Sequence, residues 1–235
     1  MNSNNKTARV AGLLYLAFLV VGIFSFFYVP SKIFADGNAT LTANNIVANE
    51  LLFRFGIAGN LIGQIIFIFL ALALYQLFKE VNKTYARLLV ALVVASVPIA
   101  FLVILNQIAS LILLSGADFL NAFDPDQLQA LSMLFYNLYN YGIIIVGIFW
   151  GLWLYPFGYL VFKSGFIPKI LGVLLIMGCF GFLVDSFSFL LIPSYHDTIS
   201  NFASLPASIA ELSMIFWLLF KGVKDQSQNK SSGRF

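Results

Sequence analysis

Six apolar stretches, separated by short charged clusters, restrict this chain to very few folds. They cover residues 10–29, 55–78, 88–114, 134–162, 167–192 and 202–220. A helix needs about 20 apolar residues to cross a hydrocarbon core. The third to fifth stretches exceed that length, so they tilt, kink or project into the interface. Pro98 and Pro156 are the kink candidates, since each lacks an amide hydrogen for the helical ladder. Composition agrees. Hydrophobic residues make up 60% of the chain and charged residues 10%, whereas a water-facing surface requires roughly 25% charged residues in a soluble domain. The expected fold is all-α, a polytopic bundle of six transmembrane helices.

Charge placement sets the expected orientation. Eleven of the thirteen Lys and Arg residues fall at the two ends or in the second and fourth connections, leaving only Lys32 and Arg54 in the others. Asp36, Glu50, Asp118, Asp124, Asp126 and Asp197 lie in that second set of connections. The positive-inside rule then puts both termini in the cytoplasm. The first stretch follows a basic start but is longer than a signal-peptide core and is followed by no A-x-A site, so a retained helix is expected. Residues 1–9 are read as a cytoplasmic N-terminus, 10–220 as one transmembrane domain and 221–235 as a basic, disordered cytoplasmic tail.

Rare residues exclude much chemistry. A single Cys179 rules out an intramolecular disulfide, a CxxC pair or a thiolate cluster. A single His196, between spans, rules out bis-histidine haem ligation and an HExxH zinc site. No cofactor or metal is implied. The net charge of +3 is a matter of membrane orientation and not of nucleic-acid binding. The implied partners are membrane lipids and a small-molecule or ion ligand.

Between spans, "TANNIVANELLFRF" is expected to begin a helix that runs into the second span, with Glu50 and Arg54 one turn apart. "DPDQ" reads as a helix start, with Asp124 at the cap, Pro125 first and Gln127 completing a capping box. Gly59 with Gly63, and Gly147 with Gly151, are small-residue pairs that permit close helix approach.

Polar residues inside the spans are the candidate site. Asp185 lies about 12 Å along a helix from Pro193, in the outer part of the core. Glu211 lies near the middle of the last stretch. Asn60 and Gln64 share a face of the second helix, as do Asn137, Asn140 and Tyr141 on the fourth, while Asn106 and Gln107 sit at similar depth on the third. A carboxylate in hydrocarbon costs about 2.5–3.5 kcal/mol on insertion scales, so it is a functional hypothesis by default. Three readings compete for Asp185: a pair with Arg54, a hydrogen bond to Asn106 or Gln107, or a ligand or proton site in a wet cavity. For Glu211 packing and titration stand as equals. The asparagines near the interface are read first as packing residues.

Enzyme readings find little support. An aspartyl protease needs two catalytic aspartates, serine chemistry needs an intramembrane His as base, and the G-x-x-x-x-G-K-[ST] pattern is absent.

Taken in order, "ARVAGLLYL", "NNIVANELLFRFGI", "LSGADFLNAF.PDQLQAL", "YLVFKSGFIPKILGVLL" and "GFLVDSFSFLLIP" resemble the bacterial membrane proteins of domain-of-unknown-function family 4386, over approximately residues 8–222. The resemblance implies a six-helix bacterial inner-membrane protein and supplies no activity. Arg54, Asp185 and Glu211 fall within its recognisable segments. Asn60 and Gln64 stand where it implies acidic or smaller residues, which argues against a proton site there. The leading expectation is a non-enzymatic protein that binds or moves a small molecule or ion through an outward-facing polar cavity. The alternative is a structural or regulatory component acting through partner helices or lipids.

Overall fold

The structure is a computed structural model that describes residues 3–223. It is all-α: among the described residues there is no strand. Among the described residues six helical segments are long and apolar enough to cross a membrane: Asn4–Ile33, Glu50–Phe78, Lys83–Leu113, Pro125–Ser164, Lys169–Leu191 and Pro193–Lys221. The expected disordered tail falls, beyond Val223, outside the described residues.

Most segments extend beyond their apolar stretches, and at several helix starts a side chain caps the backbone. In the first connection, α3 (Ala39–Ala48) starts at Asn38, whose side chain accepts from the Leu41 amide at 2.8 Å. It stops at Asn49, whose backbone leaves the helical region, and α4 (Glu50–Phe78) begins at once. The expected continuous helix is therefore two helices. The third segment is α5 (Lys83–Leu113), unbroken at Pro98. Helix α6 (Pro125–Leu152) opens with the Asp124 amide donating to Gln127 Oε1 at 3.1 Å, half of the expected capping box.

Prolines shape three of the spans. Pro156 cannot donate to the Leu152 carbonyl, and there the fourth span breaks at Trp153 into α6 and α7 (Leu154–Ser164). In the first span, α1 (Ser3–Gly22) widens into a π-helical turn at Ile23–Tyr28 and closes as α2 (Val29–Ile33). Pro30, which has no amide for the Phe26 carbonyl, follows that turn directly. The last span is also in pieces. After α8 (Lys169–Leu191), a three-residue 3-10 turn at Pro193–Tyr195 leads to α9 (His196–Ala203), then α10 (Leu205–Phe216) with Pro206 in its first turn. A second π-helical turn, Trp217–Lys221, ends it.

The chain forms two compact units. One takes described residues 17–66 and 96–146. Its core joins Val29, Ile33, Ile46, Phe53, Ile104 and Tyr136, and the Phe34 ring stacks on Tyr136 with centroids 5.0 Å apart. Gly56 and Gly59 let α4 press on the first span: a Cβ at Gly56 would come within 2.8 Å of Val29, and one at Gly59 would collide with the Ser25 hydroxyl.

The other unit takes described residues 3–16, 67–95 and 147–223. Its core is aromatic: buried Trp153 meets the Phe67 ring edge-on at 5.0 Å and stacks on Phe157 at 5.3 Å. Helix α7 ends at Gly165, in the left-handed region at φ 73°, and the chain returns as α8. The two helices cross where Gly158 and Gly172 face each other, each too close to the other's carbonyl oxygen (2.6 Å) for a Cβ. Of the two small-residue pairs, Gly151 does the same against Phe182 of α8.

Candidate functional site

Carboxamides dominate the first unit. Asn60 on α4 is buried, and its Nδ2 donates to Gln107 Oε1 on α5 at 3.1 Å and to the Tyr139 hydroxyl on α6 at 3.0 Å. One residue thus ties three spans. A second tie joins Ser110 of α5 to Ser132 of α6 at 2.6 Å. Gln64 is buried one turn from Asn60. Asn106 instead satisfies its own helix, donating to the Val103 carbonyl at 3.0 Å. Asn137 and Asn140 are half-buried, and Tyr141 is exposed. The buried face of α6 is the neighbouring one, carrying Ser132, Tyr136 and Tyr139. Sequence reasoning chose the amides on α6 and missed Tyr139; the spacing of Ser132, Tyr136 and Tyr139 at helical intervals was the available signal.

Arg54 belongs to a different arrangement. Its Nε lies 2.7 Å from Glu50 Oε1, one turn back on α4, and both side chains are at least half exposed. Of the three readings for Asp185, the pair with Arg54 is therefore corrected: Arg54 takes the nearer acid of its own helix, which keeps both charges at the surface.

The second unit holds the acids. Glu211, on α10, accepts from the Tyr15 hydroxyl of α1 at 2.8 Å, so the carboxyl has a neutral donor from the first span. Asp185 has a partner that sequence reasoning set aside as lying between spans. The short turn at Pro193–Tyr195 folds His196 back onto α8, and its Nδ1 comes within 3.7 Å of Asp185 Oδ1 and 3.2 Å of Ser188 Oγ. The Phe189 ring meets the imidazole edge-on at 5.0 Å. Neither Asn106 nor Gln107 is bonded to this carboxylate; their partners are named above. The signal for His196 was its distance of only three residues from the helix-ending Pro193.

A Ser, a His and an Asp together invite comparison with a nucleophilic triad, and the geometry argues against one. A triad needs the acid on one imidazole nitrogen and the serine on the other. Here both face Nδ1, and the Ser188 hydroxyl donates to the Asp185 carbonyl at 2.9 Å. The arrangement suits recognition of a polar group, not proton abstraction from serine.

Directly beside this trio runs a groove of about 470 Å³. Met177, Gly181 and Val184 of α8 form one wall, and Ile199, Phe202 and Ala203 of α9 the other. Asp185 and Ser188 follow Gly181 and Val184 by one turn, and His196 precedes Ile199 by three residues. The polar trio therefore stands at the end of the groove nearest the 3-10 turn. Gly181 packs so closely on the Ala203 carbonyl that no Cβ fits between them, which fixes the two walls together at the base.

The sequence model of one family, described as "Domain of unknown function (DUF4386)", matches residues 10–222. The chain belongs to that family. Five of the six spans, the remaining first span from Val10 onward, and every side chain of the sites described above lie inside the DUF4386 region. A relative from Archaeoglobus fulgidus, titled "Uncharacterized protein", is 33% identical over 90 residues, or 38% of this chain. That stretch is 49% of the relative, so the chain spans about half of its length. No solved structure matches. Both the family and its archaeal relative leave the chemistry to be argued from the site.

Proposed function

We propose that this multi-pass membrane protein binds an amphiphile of the bilayer, a lipid, in the groove between α8 and α9. The observation that carries this reading is the juxtaposition of an open apolar groove with a polar trio one turn beyond its end. An acyl chain lies along Met177, Val184 and Phe202 and leaves no polar atom in hydrocarbon. The head reaches Asp185, Ser188 and His196, where a carboxylate, a hydroxyl and an imidazole offer acceptors and donors. No Lys or Arg occurs between Lys169 and Lys221, while Asp185 and Asp197 are close by, so ammonium- or hydroxyl-bearing heads suit this end better than a bare phosphate. The distribution of basic residues supports an orientation with the trio toward the outer leaflet and both termini in the cytoplasm, and the resemblance to bacterial membrane proteins supports a bacterial inner membrane. Asn60, Gln107 and Tyr139 then serve packing, because the Asn60 amide group is spent on Gln107 and Tyr139, and Arg54 serves the surface.

The test is lipid retention. Purified protein is melted in detergent with added phosphatidylethanolamine, phosphatidylglycerol or no lipid, and its bound lipids are weighed by native mass spectrometry. Val184→Trp, which fills the groove from an exposed position, is expected to remove the lipid-induced rise in Tm. Asp185→Asn and His196→Gln are expected to erase the preference for the ethanolamine head while retaining the tail. Equal lipid binding by wild type and Val184→Trp sinks the proposal.

A further inference from the structure

We infer a buried water site between the π-helical turn of the first span and α4, in which Asn60 Oδ1 and Gln64 Oε1 accept the two hydrogens of a single water. Three observations in this unit lead there. Asn60 and Gln64 are each only 2% exposed, and neither side-chain oxygen has a protein partner. Both residues line a void of about 10 Å³, closed on the other side by Phe18, Val21, Gly22 and Phe26. A water needs roughly 10–15 Å³ by this measure, so the void has room for one and no more. The Ser25 hydroxyl, 1% exposed and also without a protein partner, lies on the same turn against Gly59 and supplies a donor for the water's own oxygen.

Nδ2 of Asn60 gives its hydrogens to Gln107 and Tyr139, which leaves Oδ1 on the opposite edge of the carboxamide. Charge then identifies the occupant. Two neutral carbonyls and a hydroxyl match a water's two donors and its acceptor. A bare cation would be stripped of hydration with no carboxylate among the lining residues to offset it. Pi-helical turns widen a helix locally, and here that widening sits beside Gly59 and Gly63, leaving space that an α-helical turn would fill. The water extends the Asn60–Gln107–Tyr139 network to the first span, so that four spans of this unit share one chain of hydrogen bonds.

Two substitutions discriminate by sign. Gly63→Ala adds a methyl where only Val21 is near, at 3.7 Å, and crowds the void. Gln64→Leu removes one of the two acceptors. With a water in place both are expected to lower Tm, by about 2–8 °C. In a dry void both raise Tm, the first by filling space and the second by deleting an unpaired acceptor, and that outcome overturns the inference. Melting in sodium chloride and in choline chloride should coincide; a sodium-specific rise that Gln64→Leu abolishes makes the occupant a cation and equally overturns it. Should Gly63→Ala fail to fold, experimental density decides. A peak within about 2.6–3.2 Å of both oxygens supports the water, and empty density with the amides turned onto protein atoms refutes it.

Discussion

In residues 17–66 and 96–146 the buried polar side chains are neutral, and five of them are bonded to each other: Asn60 to Gln107 and Tyr139, Ser110 to Ser132. In the other unit they include the two intramembrane carboxyls, and each meets a single polar side-chain neighbour or two near one end of a helix: Glu211 with Tyr15, Asp185 with His196 beside Ser188. The difference separates two uses of polarity within a bilayer. Carboxamides and hydroxyls can saturate one another and so hold helices in register, whereas a carboxyl with one neighbour keeps acceptor capacity for something else.

The sharpest way to break this contrast begins with helix packing itself, because both arrangements presuppose it. Gly158→Leu drives a side chain into the Gly172 carbonyl and Ile176, and is expected to cost about 3 kcal/mol or more, read as loss of the monodisperse peak in fluorescence-detected size exclusion. Next comes Asn60→Leu. It strands Gln107 Oε1 and the Tyr139 hydroxyl, and should cost about 2–3 kcal/mol in thermal or denaturant unfolding without altering lipid retention. If it changes lipid retention instead of stability, the division of labour is wrong. Tyr15→Phe removes the donor to Glu211 and should cost about 1–2 kcal/mol, and a double-mutant cycle with Glu211→Gln should show coupling of about 1 kcal/mol. Asp185→Asn should change lipid-free stability by less than about 1 kcal/mol while abolishing head-group preference, since the carboxylate meets His196 only at 3.7 Å, beyond hydrogen-bond distance. Arg54→Gln should be nearly silent, within about 0.5 kcal/mol, as for other exposed pairs one turn apart.

The spans were legible in the sequence because hydrocarbon punishes polar residues so heavily that apolar length alone marks a crossing. Their ends were legible wherever a side chain caps the backbone, as at Asp124 to Gln127, and less so at Asn49, where a helix expected to continue is interrupted. Within the site, Asn60, Gln107, Asp185 and Glu211 were identifiable because each is polar in an apolar run. What stayed hidden were their partners. Tyr139 and Tyr15 are amphipathic and common in membrane helices, so neither stands out by composition. His196 was misjudged because its position after Pro193 reads as a loop, and only the tight 3-10 turn brings it back. For Arg54 the sequence offers two acids, Asp185 and Glu50, and Glu50, four residues away, is the cheaper partner.

The link between α8 and α9 is only four residues long, Ile192 and the 3-10 turn Pro193–Tyr195. A connection that short pins one end of α9, and the Gly181–Ala203 contact holds the other. A thicker tail in the proposed groove would have to bow α9 between them, and would be sensed as a change of angle at His196, at the proposed head-group end.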